Sequence, residues 1–492
     1  MDAGLVQLLE RAFHPRAIAV VGASNNPMSF GYHFLRHLTR YGFAGNIYPV
    51  NPGEESVQGF PAYHRLSDIP GPIDYVVCCI PAQLIPDLLR ECRTRDVRVA
   101  HLFTGRLTET GRAQAHELEA EILCQARIHD VRLIGPNCMG LYHPGQGISF
   151  GYDLPIEPGP VGGLFQSGGA SGEFVRYGAL RGLRFSKVIS YGNALDLDES
   201  DFLDYLSQDT NTTVIAAYIE GVKEGRRFLR SLKNAASTKP VVALKGGKGG
   251  AGAARACFSH TASLTGSSEV WETAVRQAGA VPAETLEDLI DLVVAFRFLP
   301  PTTGKRVGVV GGGGGKSVLS ADECESAGLE LPPLPQKARE ELKAIAPDLW
   351  DWLGNPADRS IMQGAPIDTG KILKVMAPLP EFDFIIANIT EDAPFGQEGM
   401  TRLLQTEADD FIEVWRKRTK PLAVVLGAGE LGGQELQDWR WRLLAEQRQR
   451  LVAAGIPVYA SVTRAARSLS RLVDYYRRRA ALSRTDRALA GW

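Results

Sequence analysis

A histidine set among small polar residues, Ser259-His260-Thr261-Ala262-Ser263, follows the glycine-rich run from Gly246 to Gly252. Taken alone, it is compatible with a structural role. A nearby carboxylate changes what such a ring can do. Tyr218-Ile219-Glu220-Gly221 supplies one at the C-terminal end of an expected strand, where open α/β sheets build their sites. If Glu220 accepts the imidazole Nδ1–H, the tautomer is fixed and Nε2 is left as a nucleophile, with a cationic or phosphorylated ring stabilised. Read without its neighbours, Glu220 is equally a solvated turn residue.

Three strand-to-helix turns offer small residues whose backbone can close on an anion, because exposed N–H groups and the helix dipole converge there. The first runs Gly22-Ala23-Ser24-Asn25-Asn26-Pro27-Met28-Ser29-Phe30-Gly31. It fails the dinucleotide fingerprint G-x-G-x-x-G, since Ser24 and Pro27 hold the later glycine positions. The next strand ends in Pro49-Val50-Asn51-Pro52, without the acidic residue that would hold a ribose hydroxyl, so an NAD site is disfavoured. An ordinary βα turn stays open as a reading. The second turn is Gln166-Ser167-Gly168-Gly169-Ala170-Ser171-Gly172, for which tight packing is the plainer alternative. The third, Val310-Gly311-Gly312-Gly313-Gly314-Gly315-Lys316-Ser317, misses the P-loop pattern because Val310 stands where its first glycine belongs. An anion-facing helix N-terminus around Gly313 and Gly314 fits it better.

The elements that would position these turns read as three α/β units. Short apolar runs at 17–22, 46–50, 75–80, 97–103 and 131–134 predict strands, and the three- and four-residue apolar spacing over 29–41 and 108–127 predicts helices between them. Such βαβ alternation implies a parallel sheet and a Rossmann-like first domain, over 1–145. The stretch from His143 to Gly163 is rich in Pro and Gly and marks a boundary. A second domain over 155–300 repeats the rhythm with strands at 163–165, 187–190, 214–219 and 241–244. After the linker Pro300 to Lys305, a third over 304–480 has strands at 306–310, 384–388, 422–426 and 458–460, with helices at 316–327, 434–454 and 464–479. The fold class is therefore α/β, a Rossmann-like domain followed by two flavodoxin-like parallel-sheet domains.

Composition narrows the function classes. At 492 residues the chain is too long for one core, which agrees with three units. A formal charge of −2 gives no broad positive field, so nucleic acid and anionic membrane surfaces are disfavoured as partners. No apolar run reaches the length of a membrane span, and the N-terminal stretch is not a signal peptide, so a cytoplasmic location is expected. The seven cysteines are odd in number and lack a C-x-x-C pair, which suggests reduced thiols and no zinc cage. His33 and His37 lie four apart on an expected helix but have no evident third ligand, so a surface pair and no metal site are expected. Asp196, Asp198, Glu199 and Asp201 read as a helix cap, and the arginines at 471, 477, 478, 479 and 484 as a solvated terminal helix.

Together the motifs resemble one family, the alpha subunit of the ADP-forming (NDP-forming) acyl-CoA synthetases, relatives of succinyl-CoA synthetase. The resemblance runs over essentially the whole chain. It rests on the ordered series Val21-Gly22-Ala23-Ser24-Asn25, Tyr48-Pro49-Val50-Asn51-Pro52, Gly135-Pro136-Asn137-Cys138-Met139-Gly140, Gln166-Ser167-Gly168, Gly192-Asn193, Tyr218-Ile219-Glu220-Gly221, Leu244-Lys245-Gly246 and Ser259-His260-Thr261. Each is weak alone; their order and spacing are specific.

The resemblance implies a CoA-binding first domain and phosphorylation of His260 during turnover, with Glu220 orienting the ring. It implies that Gly22, Ala23, Ser24, Asn25 and Asn51 hold CoA, that Ile80, Pro81 and Ala82 line it, and that Asn137 and Cys138 lie near its thiol end. Gln166, Ser167, Gly168 and Gly169, with Gly313 and Gly314 of the third domain, would start the two helices that cradle the phosphoryl group. No stretch resembles the ATP-grasp fold, so the resemblance implies a separate ATP-grasp beta subunit in an alpha2beta2-type hetero-oligomer. ATP or ADP with Mg2+ would sit on that subunit, and a small carboxylic acid would be the substrate. The histidine motif departs from the family in Ala262, where glycine is commoner, and the third turn in its five consecutive glycines. A non-catalytic CoA-binding regulatory homologue is the alternative.

Overall fold

A computed structural model describes residues 3–249, 268–346, 353–358, 368–389, 396–427 and 438–489, with side chains described as far as 481. The chain divides into two compact units, Met1–Val293 and Val294–Trp492.

The first unit holds two sheets. After helix α1 (Ala3–Phe13), strand β1 (Ala17–Val21) is buried at every position, as a continuous apolar run must be when helices cover both faces of a parallel sheet. It lies between β2 (Asn46–Val50) and β5 (Tyr75–Cys78), with β6 (Val99–Leu102) and β7 (Arg132–Ile134) beyond, in the order β2-β1-β5-β6-β7. All four pairings are parallel. A two-strand ribbon, β3 (Ser56–Val57) with β4 (Phe60–Pro61), follows β2. Helices α2 (Phe30–Arg40), α3 (Ile85–Thr94) and α4 (Ala113–His129) make the crossovers. The expected helix at 108–127 starts later, because Thr108–Thr110 forms a 3-10 turn closed by Gly111 at φ +69°.

The second sheet has the order β13-β12-β11-β9-β10-β8. Its strands are β8 (Gly140–Tyr142), β9 (Pro158–Phe165), β10 (Phe185–Ser190), β11 (Val214–Ile219), β12 (Val241–Lys245) and β13 (Val281–Ala283). The pairings of β9 to β13 are parallel, whereas β8 joins β10 antiparallel. Residues 140–142, counted in the first domain's sequence range, therefore form an edge of the second sheet. Helix α5 (Gly168–Leu180) follows β9, α6 (Glu199–Gln208) follows β10, and α7 (Gly225–Thr238) follows β11.

Lys187 is fully buried in this sheet and donates to Asp209 at 3.0 Å, with Thr212 donating to the same carboxylate. Removing one partner would strand a buried charge, at a cost of about 3–5 kcal/mol. Arg132 and Asp196 tie the two sheets together, the guanidinium donating at 2.7 and 3.0 Å while Leu133 N–H donates to the same carboxylate.

The second unit is built on four parallel strands, β14 (Val307–Gly311), β15 (Phe384–Asn388), β16 (Leu422–Val425) and β17 (Val458–Tyr459), in sequential order. Isolated parallel bridges from Arg306 to Glu330 and from Val310 to Ala357 occupy the other edge of β14. Asn355 fastens that edge by accepting from Val309 N–H and donating to the Val307 carbonyl. No helix among the described residues is long and apolar enough to cross a membrane.

Candidate functional site

The turn after β1 is held open by glycine. Gly22 adopts φ +87°, and a Cβ there would lie 2.8 Å from the Cys79 carbonyl oxygen. Gly31 packs so closely that its own Cβ would stand 1.9 Å from the Gly22 carbonyl oxygen. The helix α2 thus starts directly against the strand end. Its N-cap, Ser29, makes no side-chain capping bond, so the first amides of the helix are left to solvent or to an anion. Between them the loop is pinned from behind. Asn51 donates to the Ala23 carbonyl at 2.8 Å, and Asn25 donates to the Ser56 carbonyl at 3.0 Å while accepting from Gln58 N–H. Ser24 Oγ accepts from Asn26 N–H.

Ile80 and Pro81 follow β5, with the Ile80 carbonyl accepting from Thr104 Oγ1 at 2.7 Å, and Ala82 opens a short 3-10 turn. Asn137 sits in the left-handed region at φ +58° and donates to Asn193, which in turn donates to Glu109 at 3.0 Å. Asn193 N–H and Leu195 N–H donate to the carbonyls of Pro136 and Gly135. Two loops, one from each sheet, are thereby fixed edge to edge.

The second turn follows β9. Ser167 caps α5, its Oγ accepting from Ala170 N–H at 3.3 Å, and the helix starts at Gly168. No atom lies within 4 Å of where a Cβ on Gly172, the fifth residue of the helix, would be. Gln166 is 1% exposed, and its Oε1 accepts from the N–H groups of Glu220 and Gly221. The Glu220 turn is therefore hung on the residue before the helix cap. Tyr218 OH donates to Glu220 Oε1 at 3.1 Å, and burial followed by the Glu220 charge holds the phenol well above its ordinary value. It stays a donor. Lys245 Nζ donates to the carbonyls of Glu220 and Gly246, both at 2.6 Å.

The first unit, with a glycine turn after β1 and a capped glycine helix after β9, matches known modules. Residues 16–144 match the model of a CoA binding domain, and residues 158–296 that of a succinyl-CoA ligase like flavodoxin domain. The alpha subunit of acetate–CoA ligase [ADP-forming] II of Pyrococcus furiosus is 37% identical over 77% of this chain and 82% of its own. The alpha subunit of the corresponding ligase I of that organism is 32% identical over 95% of this chain and 97% of its own. A dinucleotide-forming acetyl-coenzyme A synthetase 1 of Ca. Korarchaeum cryptofilum, in complex with phosphate and ADP, has a TM-score of 0.82 at 30% identity. It covers 97% of this chain and 98% of its own. This chain is a member of the ADP-forming acyl-CoA synthetase alpha subunits.

Within that family frame, the residues singled out from the sequence fall unevenly. Gly22, Ala23, Ser24, Asn25 and Asn51 share the first turn; Gln166, Ser167, Gly168, Gly169 and Glu220 share the second. Gln166 Oε1 faces inward as an acceptor from the Glu220 and Gly221 N–H groups. Cys138 is 3% exposed, with Sγ against the Leu102 carbonyl, and burial pushes its thiol well above the ordinary range. His260 lies outside the described residues. In the second unit, Gly311 and Gly312 adopt φ +85° and +88°, Gly313 is the N-cap, and the helix Gly314–Ser326 begins with open space around Gly313 and Gly315.

The expected surface pair is corrected at His37, which is 4% exposed; His33 bonds Tyr152 OH through Nδ1 at 2.5 Å. Among the described residues no group of three His, Cys, Asp or Glu side chains is arranged to hold a metal. The acidic cluster does cap a helix, Asp198 accepting from Ser200 and Asp201 N–H at the start of α6, but Asp198 and Asp201 are buried and paired with Arg227. Sequence reasoning gave no role to Tyr218 or Lys245, although both flank Glu220 in motifs already noted.

Proposed function

We propose that this chain binds CoA and carries a phosphoryl group on His260, and that with an ATP-grasp partner it joins a carboxylic acid to CoA at the expense of ATP. The reading is supported above all by the Glu220 turn being suspended from Gln166, one residue before the capped start of α5. That arrangement sets a carboxylate beside a helix N-terminus, which suits a phosphorylated imidazole.

In the degradative direction a phosphate oxygen attacks the thioester carbonyl carbon, the C–S bond breaks, and the CoA thiolate leaves and takes a proton. The acyl phosphate then yields its phosphoryl group to Nε2 of His260 as the acyl O–P bond breaks and the carboxylate departs. Glu220 accepts Nδ1–H and balances the charge of the phosphorylated ring. The phosphoryl group passes to an ADP oxygen as the N–P bond breaks, giving ATP; synthesis runs the same steps in reverse. The amides at the starts of α2 and α5 hold the CoA phosphates and the transferred phosphoryl group respectively. Mg2+ and the nucleotide belong to the partner, in an alpha2beta2-type assembly. The free cysteines among the described residues suit a reducing compartment such as the cytoplasm.

The non-catalytic regulatory alternative loses its ground, since the relatives matched along the chain are ligase subunits. A coupled assay tests the proposal: ADP release by the reconstituted pair beyond the one equivalent that phosphorylates His260 should require acid, CoA and ATP together. The His260→Asn pair should bind CoA normally yet give no turnover. Turnover by that variant would refute the phosphohistidine step.

A further inference from the structure

Tyr218 and Glu220 stand two positions apart where β11 ends, so the alternation of an extended chain brings both side chains to the same side. There Tyr218 OH donates to Glu220 Oε1 at 3.1 Å. The phenol is held in that place from three directions. Its ring lies nearly parallel to that of Phe165, with 11° between the planes and 6.3 Å between centroids. The Tyr218 carbonyl accepts from Gln166 N–H at 3.0 Å. On the hydroxyl side comes Gly246, where a Cβ would fall 2.5 Å from the Tyr218 oxygen and 2.9 Å from Glu220 Cγ. Only a residue without a Cβ lets the backbone pass so close.

Gly246 is also the first residue of the glycine-rich run that leads to Ser259-His260-Thr261. Lys245, just before it, is 7% exposed and donates to the carbonyls of Glu220 and Gly246 at 2.6 Å each. Lys245 thus ties the backbone of the Glu220 turn to the root of that run, and Tyr218 ties down the carboxylate. Burial and the Glu220 charge hold the phenol well above its ordinary value, so the hydroxyl keeps the proton it donates.

We propose that Tyr218 is a positioning residue for the phosphoryl transfer, its hydroxyl holding the Glu220 carboxylate in the one rotamer that meets His260 Nδ1–H. The inference rests on the phosphohistidine reading above. A glutamate side chain otherwise spreads over many rotamers, and ordering it only as the imidazole takes on charge would add to the barrier of that step. A hydrogen bond to a carboxylate is among the stronger kinds, and this one is set before any phosphoryl group arrives. The nucleophile, the carboxylate that orients it and the phenol that orients the carboxylate form a chain of three groups, in which Tyr218 touches neither substrate nor the reacting atoms.

The test follows labelling of His260 in a single turnover of the full chain, the proposed ATP-grasp partner and γ-labelled ATP. Tyr218→Phe keeps the ring on Phe165 and removes only the donor. It should slow the saturated rate about 10- to 100-fold, the range for one donor to a charged group, while the ATP concentration at half-maximal rate and the Kd for CoA stay at wild-type values. In a Glu220→Gln background the same change should add about twofold or less, because Tyr218 acts only through that carboxylate. A wild-type rate in Tyr218→Phe, or an equal loss in both backgrounds, overturns the assignment and leaves the phosphohistidine reading standing. Weakened CoA binding alongside the slower rate would make the hydroxyl a prop of the fold and overturn it equally. If Glu220→Gln itself is labelled at the wild-type rate, the Glu220 role in the phosphohistidine reading fails first and this inference with it.

Discussion

Glu199 is the first residue of α6, 2% exposed, with Oε1 lacking a hydrogen-bond partner among the described residues. Burial, and then the charge of Asp198, raise its carboxyl from the ordinary 4.5 to about 8. The sign follows directly. The unfolded chain releases this proton near 4.5 while the native chain keeps it until about 8, so the native state binds more protons between those values and loses stability as pH rises through them. Each pH unit in that window costs about 1.4 kcal/mol, so the loss is roughly 1.4 kcal/mol at pH 5.5 and roughly 4 kcal/mol at pH 8. Glu199→Gln keeps the shape and has no proton to lose; whatever its amide costs in that hole is the same at every pH.

Asp198, Asp201, Lys223 and Arg227 surround the site in both proteins and cancel in the difference. The variant should therefore gain about 3 kcal/mol on the wild type between pH 5.5 and pH 8. For a unit spanning Met1–Val293, with about 2.1 cal/mol/K of unfolding entropy per residue, that is a relative rise of roughly 5 °C in melting temperature. Differential scanning calorimetry of both proteins at the two pH values reads it. Parallel shifts, with the wild-type-to-variant gap unchanged between pH 5.5 and pH 8, would refute the claim that a buried, protonated carboxyl sits at the head of α6.

Two further outcomes follow from the turns. Gln166→Leu leaves the Glu220 and Gly221 amides without an acceptor, which should cost about 2–6 kcal/mol in chemical denaturation and lower kcat while leaving the Kd for CoA unchanged. Gly31→Ala drives a methyl group into the Gly22 carbonyl, and displacing the β1 turn should weaken CoA binding at least about tenfold by calorimetry, which wild-type affinity would contradict.

The sheets were legible in the sequence wherever a strand is buried on both faces. Ala17–Val21, Val214–Ile219 and Phe384–Asn388 announce themselves as continuous β-branched and apolar runs, because only helix-covered parallel strands tolerate that pattern. Gly140–Tyr142 and Val281–Ala283 are three residues each, too short to show a period, and the antiparallel pairing of the former with Phe185–Ser190 is a long-range fact. The anion-facing turns could be located from glycine spacing and strand ends. Which way their side chains point could not. Gln166 and Cys138 carry polar atoms that turn inward to backbone partners, and His37 is buried by Phe150–Tyr152, a segment more than 110 positions away. Burial by a distant segment leaves no local trace in composition.

The most direct measurement on the central claim is the fate of the γ-phosphoryl group when this chain and the proposed ATP-grasp partner are incubated with γ-labelled ATP. The account predicts label on this chain that is lost in acid, survives base, and disappears in His260→Asn. Label absent from the wild-type chain, or persisting in His260→Asn, would contradict it.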